Sequence, residues 1–188
     1  SELSCHTLIV ATGVTVRKLD LPDVDRLTGA GIYYGAALTE AAHYRGEDVI
    51  VVGGANSAGQ GAMFFSRFAR KVIMAVRATS LEQGMSQYLV DQIRSTPNIE
   101  VRLRAEVQCV HGDHKLEGVT LHMENGATEL LPAAAMFLFI GAVPHSGAVA
   151  EVIERNSAGF ILTGQDLMHE GKRPQGWALN RDPYLLET

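Results

Sequence analysis

The stretch that decides the fold is Glu47-Asp-Val-Ile-Val-Val-Gly-Gly-Ala-Asn-Ser-Ala-Gly-Gln60. Within it, Val49–Val52 is an uninterrupted apolar run, which is typical of a strand buried on both faces of a parallel sheet. Two glycines end that run. From Ala58 onward apolar side chains recur at helical spacing, and a second β-branched run, Val72–Val76, follows. Strand, glycine turn, helix and strand within about 30 residues indicate a βαβ unit of the kind that binds dinucleotides.

The glycine turn and the helix after it supply the predicted binding groups. A turn without side chains lets a pyrophosphate approach the backbone, and the helix N-terminus offers free N–H groups and a positive dipole end. In the Gly-x-Gly-x-x-Gly/Ala fingerprint the positions are Gly53, Ala55 and Ala58, so an alanine replaces the middle glycine. Arg77 closes the second strand, where an arginine suits a 2′-phosphate and an acidic residue suits NAD. The sequence therefore predicts NADP(H), with a solvated strand-end charge as the alternative interpretation of Arg77.

A second interpretation of the same turn is a hydrolase. Ala55-Asn-Ser-Ala-Gly59 differs by one residue from the Gly-x-Ser-x-Gly nucleophile elbow. Ser57 would then be the nucleophile, with Asp166 and His169 following in the required order. However, the acid and the base lie close together in one polar stretch, and no His-Gly-Gly-Gly stretch precedes the turn. The hydrolase is therefore kept only as a remote alternative.

Composition excludes several classes of protein. The chain has 188 residues, 46% of them hydrophobic and 20% charged, and a net charge of −5. These values describe a soluble, mildly acidic globular protein without the basic face that binds nucleic acid. The longest apolar run, 133–143, is too short to span a membrane. Cys5 and Cys109 have no metal-ligand spacing, so we predict no metal site and a reduced, cytoplasmic setting.

The remaining pattern completes an α/β fold. Further strands are predicted at Thr7–Val10, Ile99–Leu103, Glu106–His111, Leu116–Glu124, Thr128–Leu131, Ala135–Ile140 and Phe160–Leu162. Helices are predicted at Ala36–Tyr44, after a capping box at Ser80–Gln83, and at Ala148–Ile153. Asn125-Gly126 is a tight hairpin turn. Together they predict a Rossmann-like, three-layer α/β domain with a parallel sheet, into which an antiparallel β-meander is inserted before the last sheet strand.

The order of these motifs resembles thioredoxin reductase and its flavoprotein relatives, from about Leu8 to Thr188. The motifs that carry the resemblance are Ala11-Thr-Gly13, Leu19-x-Leu-Pro22, Gly29-x-Gly31, Gly53-Gly-Ala-Asn-Ser-Ala58, Arg77, the meander, and Phe137-Leu-Phe-Ile-Gly-Ala-x-Pro144. The resemblance implies an FAD-dependent oxidoreductase in which an NADPH-binding domain is inserted into a larger FAD-binding domain. It implies an NAD(P)H-binding domain over residues 29–134 and pieces of the FAD-binding domain over residues 1–28 and 135–188.

The resemblance also implies roles for individual residues. The glycine turn and the start of the helix would face the pyrophosphate, and Gln60 stands where the family usually has a glutamate near the nicotinamide. Two segments, at Thr12-Gly13 and from Gly141, resemble the crossing points between the two domains. The cofactor-binding residues predicted in this way are Gly53, Gly54, Ala55, Asn56, Ser57, Ala58, Gln60, Arg77, Thr12, Gly13 and Gly141.

Departures from the family pattern carry further expectations. The family's glycine fingerprint for FAD and its Gly-Asp flavin motif both fall outside the chain, which we interpret as a central fragment that holds no flavin alone. The position of the redox Cys-x-x-Cys reads Gly35-Ala-Ala-Leu-Thr39, so the chain resembles a variant group that lacks the disulfide. The family's His-Arg-Arg-x-x-x-Arg corresponds to Val76-Arg77-Ala78 with Glu82 in the last place, which keeps one phosphate contact.

The expected function follows from that resemblance. Hydride would pass from NADPH to a flavin and then to an electron acceptor that the sequence does not reveal, and thioredoxin reduction is not expected without a dithiol. The alternative is a stand-alone dinucleotide-binding module without catalysis. Whether the protein forms a homodimer is left open.

Overall fold

The computed structural model describes residues 4–35 and 41–188, with Ala41 described through its backbone alone. The strands are, in chain order, β1 (Val14–Val16), β2 (Ile32–Tyr34), β3 (Asp48–Val52), β4 (Lys71–Val76), β5 (Ile99–Leu103), β6 (Ala105–His111), β7 (Gly118–Met123), β8 (Thr128–Pro132), β9 (Ala135–Leu138) and β10 (Ala142–Pro144). The α-helices are α1 (Val24–Leu27), α2 (Asn56–Phe65) and α3 (Gln87–Ser95). Contacts divide the chain into a central unit, Lys18–Ile140, and an outer unit made of the segments before and after it.

The central unit is built on a five-stranded parallel sheet with the strand order β2-β9-β3-β4-β5. Alternate side chains of its strands face two different layers. Val51, Met74 and Phe137 are buried on the face that carries α2 and α3. Ile50 and Ile73 are buried on the opposite face, against the antiparallel sheet β6-β7-β8. Helices, parallel sheet and meander are the three layers, so the predicted α/β fold is confirmed.

The meander is inserted where the sequence places it. Gly126 has φ +83° at the hairpin between β7 and β8, and Asn125 Oδ1 accepts the Ala127 N–H at 3.0 Å. After β8 the chain returns to the parallel sheet as β9, which pairs with both β2 and β3. The sheet therefore gains its last strand only after the meander is complete.

The helix predicted from the capping box begins later than expected. Leu81–Gln83 is a 3₁₀ turn, and Ser80 makes no side-chain cap there. Helix α3 starts at Gln87, because Gly84 and the residues after it break the helical path first. The apolar spacing after the capping box also predicts Tyr88 on the buried face of this helix, which is wrong, since its side chain is 58% exposed.

The helix predicted over Ala36–Tyr44 is only partly observable. Residues 36–40 lie outside the described ranges, and Ala41–Tyr44 is a 3₁₀ turn. Gly46 ends this segment with φ +78°, and its N–H donates to the Phe68 carbonyl at 2.9 Å.

Three elements predicted for the outer unit are wrong. Thr7–Val10 is not a strand, since the strand falls later, at β1. Ala148–Ile153 is not an α-helix, since only the end of the 3₁₀ turn Gly147–Val149 falls in it, and Phe160–Leu162 contributes one isolated β-bridge. The apolar pattern alone therefore does not make these runs regular elements.

The outer unit has little core. Its strands β1 and β10 pair antiparallel, and every residue of β1 is exposed. Among its described residues, Leu167 and Pro183 are the two buried aliphatic side chains. Most of the large apolar side chains that are exposed among the described residues also belong to this unit. In the described ranges, no helix has the length and apolarity needed to cross a bilayer.

Candidate functional site

The turn between β3 and α2 requires glycine at two positions. Gly53 has φ +141°, a conformation that L residues rarely adopt. A Cβ atom placed on Gly53 would lie 2.6 Å from the carbonyl oxygen of Phe139. On Gly54 it would lie 2.8 Å from Val76 Cγ1. Gly53 and Gly54 therefore have no room for a side chain where the backbone leaves the sheet.

The N-terminus of α2 leaves unpaired donors beside that turn. Ala55 occupies the N-cap position of the helix, with φ −97° and ψ 176°, a conformation that alanine adopts without strain. Among the described residues no side chain caps the helix, and the Gly59 N–H donates to the Ala55 carbonyl at 3.1 Å. The N–H groups of Asn56, Ser57 and Ala58 therefore lack an intrahelical acceptor, at the end where the helix dipole is positive.

A loop that the sequence patterns did not identify lies against the turn. A Cβ atom on Gly84 would lie 3.0 Å from the Gly54 carbonyl oxygen. Asn56 Oδ1 accepts the Ser86 N–H at 2.8 Å and the Ser86 hydroxyl at 3.1 Å. The capping-box pattern places the helix start at Ser80 and not at Ser86. Gly84, inside the predicted helix, is the signal in the sequence that a loop lies there. Residues 79–86, here called the clamp loop, thus close one side of the site.

Two charged residues follow the end of β4. Arg77 is exposed, and within the described residues its side chain makes no ion pair or hydrogen bond. Its guanidinium is therefore free to meet an anion. Glu82 in the clamp loop pairs with Arg94 of α3 at 2.7 Å. The Glu82 backbone amide and the Arg94 guanidinium hold the pKa of this carboxyl below its usual value.

Phe139 lies next to α2 where β9 ends. Its N–H donates to the Val52 carbonyl at 2.8 Å. A Cβ atom on Gly61 would lie 2.6 Å from its Cζ atom, so the ring packs directly on the helix backbone. Gln60 precedes that contact and its side chain is exposed. Its position near a nicotinamide remains a prediction.

The remaining predicted binding residues lie in the outer unit. The Gly13 carbonyl accepts the His145 N–H at 3.0 Å, and the Thr12 carbonyl lies 3.2 Å from His145 Nδ1. The Gly141 carbonyl accepts the Arg17 N–H at 3.0 Å. Because β1 and β10 are antiparallel, Thr12-Gly13 and Gly141 lie at opposite ends of this ladder. Their role toward a cofactor also remains a prediction.

The geometry gives the hydrolase interpretation no support. His169 Nε2 lies 3.2 Å from Glu154 Oε2. Throughout the described ranges, Asp166 makes no side-chain bond to His169, and the Ser57 hydroxyl has no hydrogen-bond partner. A nucleophilic serine needs a base within hydrogen-bond reach.

Known proteins of one family are similar to this chain. The profile of the pyridine nucleotide-disulphide oxidoreductase family matches residues 1–172. A thioredoxin reductase from Streptomyces clavuligerus is 33% identical over 155 residues, which are 82% of this chain and 47% of that protein. The crystal structure of the thioredoxin reductase from Streptococcus pyogenes MGAS5005 superposes with a TM-score of 0.70 and 26% identity. That match covers 90% of this chain and 56% of the reductase.

The glycine turn, the parallel sheet and these similarities define the class of protein. The chain belongs to the pyridine nucleotide-disulphide oxidoreductase family. Its relatives are oxidoreductases of the thioredoxin reductase type, and they also include a thioredoxin reductase from Treponema pallidum, which is 29% identical over 86% of this chain and 52% of that protein. The chain spans about half the length of the thioredoxin reductases it matches.

Proposed function

We propose that this chain is the NADP(H)-binding portion of an FAD-dependent oxidoreductase resembling thioredoxin reductase. NADPH supplies a hydride when bound, and a flavin carried elsewhere in the intact protein receives it. The observation that carries the proposal is the turn at Gly53-Gly54, where packing leaves no room for a side chain and which leads to N–H groups of α2 that lack an intrahelical acceptor. Membership of the family supports the same assignment.

The residues present fit a dinucleotide phosphate. Gly53 and Gly54 allow the close packing of the turn that brings the chain to the start of α2, where the pyrophosphate would bind. The N–H groups at Asn56, Ser57 and Ala58 would donate to its oxygens, where the helix dipole favours negative charge. We assign the 2′-phosphate to the exposed guanidinium beyond the end of β4, which has no competing carboxylate partner in the described ranges.

The chain offers no pair of thiols that could pass electrons to a disulfide. Gly35–Thr39 contains no sulfur, and Cys5 and Cys109 are far apart in sequence. Attack on a disulfide requires a thiolate and a second thiol to resolve the mixed disulfide. We therefore propose that electrons leave the flavin without a dithiol from this chain. A stand-alone binding module is the alternative, and an absorption spectrum of the full-length protein separates the two, because only the oxidoreductase carries a yellow flavin.

Replacing Arg77 with alanine is expected to erase a preference for NADP(H) over NAD(H). A charge-assisted contact to a 2′-phosphate contributes about 1.5–3 kcal/mol, which is about one to two decades in the dissociation constant. Affinity for NAD(H) should change little, since that ligand lacks the phosphate. Isothermal titration calorimetry with both nucleotides measures the four dissociation constants.

Arg67→Ala is the matched control, because Arg67 is another exposed arginine and lies beyond the opposite end of α2. It should leave both affinities unchanged. Equal affinity of the unmutated chain for NADP(H) and NAD(H) would contradict the assignment of Arg77.

A further inference from the structure

Ser86 occupies the cap position of α3 without capping it. A serine there ordinarily accepts an N–H from the first turn of its own helix. Ser86 makes no such bond. Its hydroxyl instead donates to Asn56 Oδ1 at 3.1 Å, and its backbone N–H donates to the same oxygen at 2.8 Å. The first residue of α2 is thereby tied to the start of α3.

These two bonds fix the orientation of the Asn56 amide. A backbone N–H can only donate, so the atom facing it must be the oxygen and not the nitrogen. The NH₂ group is then the remaining polar part of the side chain. Within the described residues Nδ2 has no hydrogen-bond partner. This NH₂ group belongs to the residue at which α2 begins. It is a hydrogen-bond donor only, so it can bind an anion.

We propose that Ser86 is a positioning residue for the dinucleotide: it holds Asn56 Oδ1 with two donors and so directs the Asn56 NH₂ toward the pyrophosphate. This inference rests on the proposed function of the turn. Ser86 acts through Asn56 and does not itself contact the nucleotide. Gly84 of the clamp loop also lies close to the turn, since a Cβ atom on it would be 3.0 Å from the Gly54 carbonyl oxygen.

A double-mutant cycle tests the coupling. Ser86→Ala removes the hydroxyl and keeps the backbone N–H, so the dissociation constant for NADP⁺ should rise roughly two- to tenfold, the worth of one hydrogen bond. In an Asn56→Ala background the same change should leave the dissociation constant unaltered, because nothing remains to be positioned. Ser86→Thr should restore most of the affinity. Thermal unfolding curves, monitored by circular dichroism, confirm that each variant is folded.

Two further variants separate positioning from a structural role. Asn56→Asp keeps an acceptor for Ser86 but replaces the NH₂ donor with a negative oxygen, so binding should weaken more than in Asn56→Ala. Ser95→Ala is the matched control, since that hydroxyl donates to the Gln92 carbonyl at the other end of α3. It should leave binding unchanged.

The outcomes distinguish this inference from the proposed function. Failure of the unmutated chain to bind NADP⁺ refutes both. Binding with an equal effect of Ser86→Ala in both backgrounds, or with no effect of Ser86→Ala, refutes the positioning role alone. Asn56→Asp binding as tightly as the unmutated chain also refutes it.

Discussion

Replacing Gly53 with alanine is expected to weaken NADP(H) binding by more than about tenfold. The native φ of +141° is strained for alanine, at a cost of about 1–3 kcal/mol. The new Cβ atom would also lie 2.6 Å from the Phe139 carbonyl oxygen, which is backbone and cannot rotate away. The turn must shift, and the phosphate site shifts with it. Calorimetry gives the affinity, and urea unfolding gives the stability.

Gly126→Ala separates conformational strain from the clash. Gly126 has φ +83° in the hairpin of the meander, and a Cβ atom there meets nothing within 4 Å. This variant should lose stability in a similar way but bind NADP(H) as the unmutated chain does. If Gly53→Ala bound the nucleotide normally, the turn at β3 could not be the phosphate site.

We expect backbone amides of the central unit to be protected from hydrogen exchange at least about a thousandfold more than those of the outer unit. This ratio corresponds to a difference of about 4 kcal/mol in the free energy of opening. Strand β3 is buried along its whole length, so its amides should exchange only on global unfolding. Strand β1 is exposed along its whole length in a unit whose described residues bury little apolar surface. Its amides should exchange through local opening. Mass spectrometry of peptic fragments measures both rates.

Strand β2 is the control for length in that experiment. It has three residues, as β1 has, and it also pairs with one neighbour. Ile32 of β2 is fully buried, so this strand should be more protected than β1. If β1 were as protected as β3, burial would not govern the local stability of the outer unit. That result would contradict this prediction.

The fold could be predicted from sequence wherever one layer contacts another along a whole element. Val49–Val52 and Val72–Val76 are apolar without alternation because helices cover one face of the sheet and the meander covers the other. A strand with one face in solvent would alternate apolar and polar residues instead. The hairpin at Asn125-Gly126 was equally predictable, since its backbone demands a residue that tolerates positive φ.

The clamp loop could not be predicted in the same way. Ser80 and Gln83 match a capping box, and local propensity favours a helix from there. The bonds that decide the outcome join Ser86 to Asn56, which is 30 residues earlier. Sequence patterns within one helix contain no information about such a partner. The glycine turn was therefore predicted, whereas the loop that closes its side was found only in the structure.

The central claim is that a dinucleotide binds at the turn between β3 and α2, and an NMR titration of the isotopically labelled chain with NADP⁺ tests it most directly. We expect the largest amide shifts at Gly53–Ala58, at Arg77 and at Ser86. The amide signals of the meander strands should hardly shift, because these strands cover the opposite face of the sheet. Saturable shifts confined to the meander or the outer unit, or no shifts at all, would contradict the claim.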